Sequence, residues 1–356
     1  MDTLQKKYAI DKNTWDDCAE TYERQIVGGH PDIAAFEHFE EDFLDRILSF
    51  LCRNQDRPVK LMDIGCGSGR LHLRYGIKTK KLVEPSLNNP LSLVRLSSNH
   101  LAYDPVLSKG LKEVWGIDFS QNMIDLAKSK LENVGLDDGS DIALTFETGS
   151  AFDLQEESND VLPVAICLVN SIGVMQGFEG ARELFKSMRR AVEKAKGIAI
   201  ISCYQQEYIE SYGLGQYEST MDVSGQPIWM TPDTYVSPDF KQVPKYYKTA
   251  HSNENTLAVD VLDDQGKLVK NDYILKRDPQ KTALTIESGD INTFSDYKSH
   301  WYSFNHIDSF ISEHWNPTCS HHIKTKILDA IRAEPAQLAI LDCGDHLKPL
   351  FDQWDI

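Results

Sequence analysis

The residues best suited to chemistry in this chain of 356 residues cluster at Asp63-Ile64-Gly65-Cys66-Gly67-Ser68-Gly69, an acid two places ahead of three alternating glycines. Such a turn lets a ligand approach bare backbone N–H groups and the N-terminus of the helix that follows. A dinucleotide turn of the GxGxxG type needs a third glycine at position 70, where this chain has Arg70. A nicotinamide-dependent oxidoreductase is therefore the lesser reading. A second acid, Asp118, closes the apolar run Val114-Trp115-Gly116-Ile117, and the run Leu162 to Val169 ends at Asn170-Ser171. The histidines at 306, 314, 321 and 322 do not suggest a metal site. Adjacent histidines on a strand cannot face one ion, and no Cys or carboxylate completes a ligand set.

These groups need strands that end where helices begin. Val59 to Ile64 reads as a first strand entering the glycine turn, and Val114 to Asp118 as a second. Ser120 reads as the N-cap of a helix from Met123 to Leu131, with Ile124, Ala127 and Leu131 on its inner face. Ala143–Glu147 and Leu162–Val169 read as strands three and four. A helix from Gly180 to Ala195 then leads into strand five, Gly197–Ser202. Strands alternating with helices imply a mostly parallel sheet covered on both faces. The periodicity before it is helical from about Thr14 to Arg53, broken at Gly28-Gly29-His30-Pro31. Beyond Ser202 it changes: Thr256–Leu262 and Lys267–Leu275 flank Asp263-Asp264-Gln265-Gly266 as a hairpin, which points to an antiparallel insertion. A helix from His306 to Trp315 and a last strand, Gln337–Leu341, complete the core.

Composition narrows the partners. The 37 basic residues against 54 acidic ones give a net charge of −17, which repels phosphate backbones and anionic membranes. Neither nucleic acid nor membrane is an expected partner. Seven cysteines without a CxxC pair suit reduced thiols. With a polar stretch from Met1 to Asp11 and no long apolar run, this leads to the expectation of a cytoplasmic protein. Whether it is a monomer or a homodimer is left open.

The segment from Asp63 to Gly69 resembles the first motif of class I S-adenosylmethionine-dependent methyltransferases, and Gly116 to Met123 is similar to their second. The resemblance covers residues 59–202 motif by motif. It implies a Rossmann-like seven-stranded, mostly parallel sheet with helices on both faces and an antiparallel β cap inserted after strand five. The implied division is a helical lid over 1–57, a cofactor-binding core over 58–202, a substrate cap over 203–300, and completion of the core by 301–356.

It also implies S-adenosyl-L-methionine as cofactor and a set of residues around it. Asp63, Gly65, Cys66, Gly67 and Gly69 would receive its amino-acid end. Asp118 would bind the ribose hydroxyls beside Phe119, and Met123 would pack on adenine. Ser150, Ala151 and Phe152 would recognise the adenine edge. Leu168 and Asn170 would lie near the methyl, with Tyr22 closing from the lid. Asp118 stands 49 residues beyond Gly69, farther than relatives place this acid, whereas Glu84 stands 15 beyond it. Asp118 is preferred because a helix and a third strand follow it, which makes residues 77–112 an insertion.

The pair Asn170-Ser171 is similar to the strand-four motif of the glycine N-methyltransferase type. It implies transfer to a small soluble metabolite, the nitrogen of an amine or amino acid first, with O- or C-methylation as the alternative. A non-catalytic S-adenosylmethionine-binding regulator is the alternative from another class. Asn170, Tyr204 and His306 are the candidate catalytic residues, His306 as a general base. Tyr208, Trp229, Tyr235, Trp301 and Tyr302 are the candidate acceptor contacts, since aromatics can cage a cation. The plain alternative for these aromatics is that they form the core of the cap.

Overall fold

A computed structural model describes residues 31–79, 103–134, 142–204, 302–324 and 336–354, together with Trp15, Asp16 and Ala19. Over 31–39, at 204, 324 and 336, and in the strands between 220 and 301, it describes the main chain alone. Helix α1 spans Pro31–Asn54 and leads to β1 (Val59–Ile64), the glycine turn and α2 (Arg70–Thr79). Then come α3 (Pro105–Gly110), β2 (Leu111–Asp118), α4 (Gln121–Asn133), β3 (Ala143–Thr148), β4 (Leu162–Cys167), α5 (Gly177–Glu193) and β5 (Ile198–Tyr204). After the inserted strands, α6 (Phe304–His314), β13 (Ser320–Lys324), β14 (Ala336–Asp342) and α7 (Lys348–Trp354) close the chain.

One seven-stranded sheet results, in the order β13-β14-β5-β4-β1-β2-β3. Strands β1 to β5 are parallel, and β14 enters antiparallel between β5 and β13. The composition of each strand follows its place. Central β4 (LPVAIC) is buried at every residue, as a parallel strand covered on both faces must be. Edge strand β3 (ALTFET) alternates between half-buried and exposed. Its polar outer residues discourage further strand pairing.

Two apolar layers sandwich the sheet. On one face Leu44, Ile47, Leu48 and Leu51 of α1 join Leu71 and Tyr75 of α2 and Leu350 and Phe351 of α7. On the other, Leu184, Phe185 and Met188 of α5 pack with Ile307, Phe310 and Ile311 of α6. Trp315 donates its indole N–H to the Phe185 carbonyl at 2.9 Å, which satisfies the one polar atom of a buried ring.

A ladder of charges joins α1 to α2. Glu41 and Asp45 are four apart on α1, and Arg70, Arg74 and Lys78 are four apart on α2, so each set lines one face. Glu41 pairs with Arg70 at 2.5 Å and with Arg74 at 2.7 Å. Asp45 pairs with Arg74 at 2.6 Å and also holds Lys78 and the Tyr75 hydroxyl. The first turn of the helix that follows the glycine turn is thereby clamped to α1.

Among the described residues, three antiparallel groups lie between β5 and α6: β6 (Thr220–Met221) with β7 (Pro227–Ile228), β8 (Tyr247–Ser252) with β9 (Thr256–Leu262) and β10 (Leu268–Lys276), and β11 (Leu284–Ser288) with β12 (Tyr297–Trp301). This is the antiparallel insertion that the hairpin signal implies. Several boundaries differ from the sequence reading. Helix α5 begins at Gly177 rather than Gly180, and β4 stops at Cys167, because Val169 and Asn170 turn to positive φ. Of the expected insertion at 77–112, residues 77–79 end α2 and 105–112 form α3 and the start of β2. Glu84 and the rest of 80–102 lie outside the described residues. Strand β13 has no counterpart in the sequence reading.

Arg74 is 6% exposed and bridges Glu41 and Asp45, so its removal breaks two buried pairs and leaves each carboxylate with one cation, Arg70 or Lys78. Breaking such a buried pair typically costs about 3 kcal/mol. Arg74→Ala is expected to lower unfolding free energy by about that amount, read from urea denaturation.

Candidate active site

The glycine turn is built from three backbone departures and two anchors. Gly65, Gly67 and Gly69 take φ of +76°, +50° and +76°, a region that L side chains rarely enter. Gly65 N–H and Cys66 N–H donate to the Ile117 carbonyl at 2.8 and 3.1 Å, which ties the turn to β2. Gly67 N–H donates to Asp118 Oδ2 at 2.9 Å. A Cβ on Gly69 would lie 2.9 Å from Ala127 Cβ and 3.0 Å from the Phe146 ring, so this glycine permits helix packing. A Cβ on Gly67 would meet nothing within 4 Å. Among the described residues, the space outside Gly67 is open.

Two carboxylic acids converge beneath that space. Asp63 pairs in register with Gly116 of β2 and Ile166 of β4, and it is 5% exposed. Burial pushes its carboxyl up to about 7; Arg70 opposes the rise and Asp118 adds to it. Asp118 is also buried and is pushed up to about 6 by desolvation, although hydrogen bonds from backbone N–H groups pull the other way. Its Oδ1 accepts from Ser120 N–H at 2.9 Å, while Oδ2 holds Gly67. Two buried acids close together titrate as a pair and favour a cationic partner.

The N-terminal segment reaches this corner. Ser120 caps α4 by accepting from Met123 N–H at 3.2 Å, and it donates its hydroxyl to Asp16 at 2.7 Å. Asn122 gives its backbone N–H to the Asp16 carboxylate and its amide to the Asp16 carbonyl, at 3.3 and 2.8 Å. Met123 is buried against the sheet side of the helix. After β3, Gly149 N–H donates to the Asp118 carbonyl at 2.8 Å. Ser150 Oγ accepts from Phe152 N–H at 3.1 Å and so shapes its own turn, beside half-buried Ala151 and Phe152.

The turn after β4 completes the rim. Leu168 and Asn170 are buried, and Val169 and Asn170 adopt φ of +51° and +54°. Ser171 and Met175 press on the glycine turn: a Cβ on Gly65 would lie 3.3 Å from Ser171 Cβ and 3.1 Å from Met175 Cε. Asp63, Gly65, Cys66, Gly67, Gly69, Asp118, Phe119, Met123, Ser150, Ala151, Phe152, Leu168 and Asn170 thus fall on four adjacent strand ends and the helix starts after them.

The other candidates divide differently. Tyr302 is wholly buried, edge-on to Phe178 and Phe310, so it is a core residue rather than an acceptor contact. His306 sits in the first turn of α6, where its Nδ1 accepts from Ser303 N–H at 3.2 Å in a capping box. Its ring lies edge-on to Phe178. That bond fixes the ring as part of the helix cap, a structural task that general-base work does not need. Tyr204 and Trp301 are described in main chain only, at the ends of β5 and β12. Tyr22, Tyr208, Trp229 and Tyr235 lie outside the described residues. Sequence reasoning missed Asp16, Glu40 and Met175. Asp16 alone carried a local hint, as an acid on the helix read from Thr14 onward.

A model of the ubiE/COQ5 methyltransferase family matches residues 39–210, a little under half of the chain, from within α1 to just past β5. No curated protein matches the chain. Similar solved structures include the PH0226 protein of Pyrococcus horikoshii OT3, at 14% identity over 91% of this chain and 98% of that one, with a TM-score of 0.41. A SAM-dependent methyltransferase of Methanosarcina mazei is 12% identical over 81% and 93% of the two chains, with a TM-score of 0.39. The sugar N-methyltransferase KedS8 of Streptoalloteichus sp is 11% identical over 87% and 88%, with a TM-score of 0.35. The class does not rest on these likenesses. Sheet order, glycine turn and the family match define a class I S-adenosylmethionine-dependent methyltransferase, an enzyme whose cofactor is S-adenosylmethionine. Within that class, the matched sequence model is the ubiE/COQ5 one.

The site fits that cofactor on its own terms. Among the described residues the space over Gly67 is open, and the paired acids suit a cofactor that carries an ammonium, a sulfonium and ribose hydroxyls. Gly67→Ala is expected to weaken S-adenosylhomocysteine binding at least tenfold, while a left-handed alanine costs only about 1–2 kcal/mol of stability. Gly69→Ala, which clashes with Ala127 and Phe146, is expected to do the reverse and lose more stability than Gly67→Ala. Calorimetry and urea denaturation of both variants check this.

The acids also predict a pH dependence. Their pKa values are raised on folding, so the folded chain binds protons that the unfolded chain would release. Folding stability therefore falls as pH rises from the ordinary value of 3.8 through about 6 and 7. A cation in the site favours the ionised pair, so cofactor affinity is expected to rise over the same range, with protons released on binding. Calorimetry near pH 6.5 in buffers of different ionisation enthalpy measures that release; affinity independent of pH from 5.5 to 8 would contradict it.

Proposed function

We propose that this enzyme methylates a small soluble molecule, the nitrogen of an amine or amino acid in the first instance. The observation that carries the reading is the turn after β4, where buried Asn170 stands beside the glycine turn at the edge that receives the inserted strands. The insertion leaves the sheet at the end of β5, and its last strand, β12, runs against the 171–174 turn before the chain re-enters the core. An acceptor held there would be enclosed, which suits a small metabolite. The glycine N-methyltransferase type of strand-four motif supports nitrogen as the atom.

When bound, the cofactor supplies an electrophilic methyl on a sulfonium. In-line displacement then needs chiefly positioning. The glycine turn with Asp63 and Asp118 would hold the cofactor, which would give its methyl to the nitrogen lone pair as the C–S bonding pair returns to sulfur, and the methylated ammonium would lose its proton to solvent water. In this reading Asn170 would orient an uncharged amine through its side-chain amide. Asp63 and Asp118 remain with the cofactor and take no part in proton removal.

Charge supports the choice of partner. A net charge of −17 attracts amine cations and repels polyanions, so neither nucleic acid nor a membrane surface belongs to this reading. Among the described residues no helix is long and apolar enough to cross a membrane. Free Cys52, Cys66, Cys167, Cys203, Cys319 and Cys343 support a reducing, cytoplasmic setting.

A screen of S-adenosylhomocysteine release over amines, amino acids, phenols and carboxylates tests the proposal. Turnover is expected with a primary or secondary amine, and Asn170→Ala is expected to lower kcat/KM for it by about 10²-fold. Turnover confined to phenols or carboxylates would replace nitrogen by oxygen as the acceptor atom.

A further inference from the structure

The turn after β4 holds a conformation that its sequence does not favour. Between 169 and 177, Val169, Asn170, Gln176 and Gly177 all have positive φ, at +51°, +54°, +63° and +67°. Valine is the notable member, because a β-branched side chain crowds its own backbone in the left-handed region. Such strain persists only where surrounding structure over-determines it. The turn's own bonds are local: Ser171 donates N–H and hydroxyl to the Leu168 carbonyl at 3.0 and 2.8 Å, and Gly173 N–H reaches the Asn170 carbonyl at 2.7 Å. None of them holds Val169.

What holds Val169 comes from α1. Glu40 Oε1 accepts the Val169 N–H at 2.9 Å, and the Ser202 hydroxyl of β5 accepts the same N–H at 3.1 Å while donating to Glu40. Glu40 Oε2 lies 3.7 Å from the Arg70 guanidinium, at the start of the helix after the glycine turn. The Glu40 residue is 1% exposed. A buried carboxylate is a costly way to pack a helix against a sheet, where an apolar side chain would serve better. Its position is explained if it fixes the one N–H that must point inward for the chain to turn left-handed. Because Ser171 and Met175 of the same turn touch the glycine turn at Gly65, the hold reaches the cofactor side as well.

We propose that Glu40 is a positioning residue: its carboxylate holds Val169 and Asn170 in the left-handed turn that forms one wall of the methyl-transfer site. The proposal deepens the reading above, and its test needs no acceptor, so a failure of the acceptor assignment leaves it standing. Hydrogen exchange over residues 168–176 and calorimetry with S-adenosylhomocysteine are measured on Glu40→Ala, Glu40→Gln and Glu40→Ala/Val169→Gly. Glu40→Ala is expected to speed exchange in 168–176 about tenfold or more, while β1 and α5 stay within about twofold of wild type. Affinity is expected to fall about tenfold. Glu40→Gln keeps an acceptor oxygen and should behave nearly as wild type. Glycine at 169 removes the strain, so the double variant should regain most of the lost affinity.

Unchanged exchange in 168–176, an increase spread equally through β1 and α5, or no recovery with Val169→Gly would each overturn the proposal. If Glu40→Ala yields no folded protein, Glu40→Gln decides. Exchange within about twofold of wild type supports the role, and a tenfold rise overturns it.

Discussion

Three turns of the site hang on one residue. The Asp118 carboxylate accepts N–H groups from Gly67, after β1, and from Ser120, after β2, while its carbonyl accepts Gly149 N–H, after β3. A carboxyl removed from water is expensive, and these backbone donors make it tolerable. They also make it directional: the residue can serve all three only if the ends of β1, β2 and β3 lie in the register observed. The remaining sheet supplies that register. Strand β1 lies between β2 and β4, so any slip would carry the glycines away from their anchors.

The second constraint comes from outside the sheet. Helix α1 meets α2 through carboxylates and cations spaced four residues apart, and meets the end of β4 through Glu40. The glycine turn and the Asn170 turn are thus gripped from one helix on the same side. Asp16, at the start of α4, grips the acid corner from another part of the N-terminal region. The core strands bring the groups together, and the N-terminal residues keep them there.

What was legible in the sequence follows from the range of the forces involved. Glycines 65, 67 and 69 announce themselves because positive φ is a local demand that only their type meets cheaply. Asp118 is preferred to Glu84 in the sequence because a helix and a third strand follow it; Asp118 does hold the Gly67 N–H, while Glu84 lies outside the described residues. The left-handed Val169 was invisible, since a β-branched residue at the end of an apolar run reads as strand. Glu40 is one of five acids between 37 and 45, with Glu37, Glu41, Asp42 and Asp45, and neither type nor spacing tells them apart. Only tertiary packing singles it out. Aromatic residues misled in the same way: Tyr302 looked available because sequence carries no sign of which way a ring points. Strand β13, Ser-His-His-Ile-Lys, has neither alternation nor an apolar run, and is a strand because β14 offers it an edge.

The pairing of β14 with β5 joins Cys203 to Gln337 across the whole inserted segment. That makes it the most distant contact in the sheet and the slowest to form, because chain closure over so long a loop must precede any gain from the ladder. During synthesis, β1 to β5 emerge first and can assemble with their helices, leaving β5 as a bare apolar edge of Ile198, Ile200 and Ile201. That edge stays open until residue 342 has left the ribosome. The nascent enzyme therefore passes through a stage in which its cofactor turn can already exist while its sheet is still sticky. For this chain, protection from aggregation depends on how soon Ala336–Asp342 follows β5 out of the ribosome.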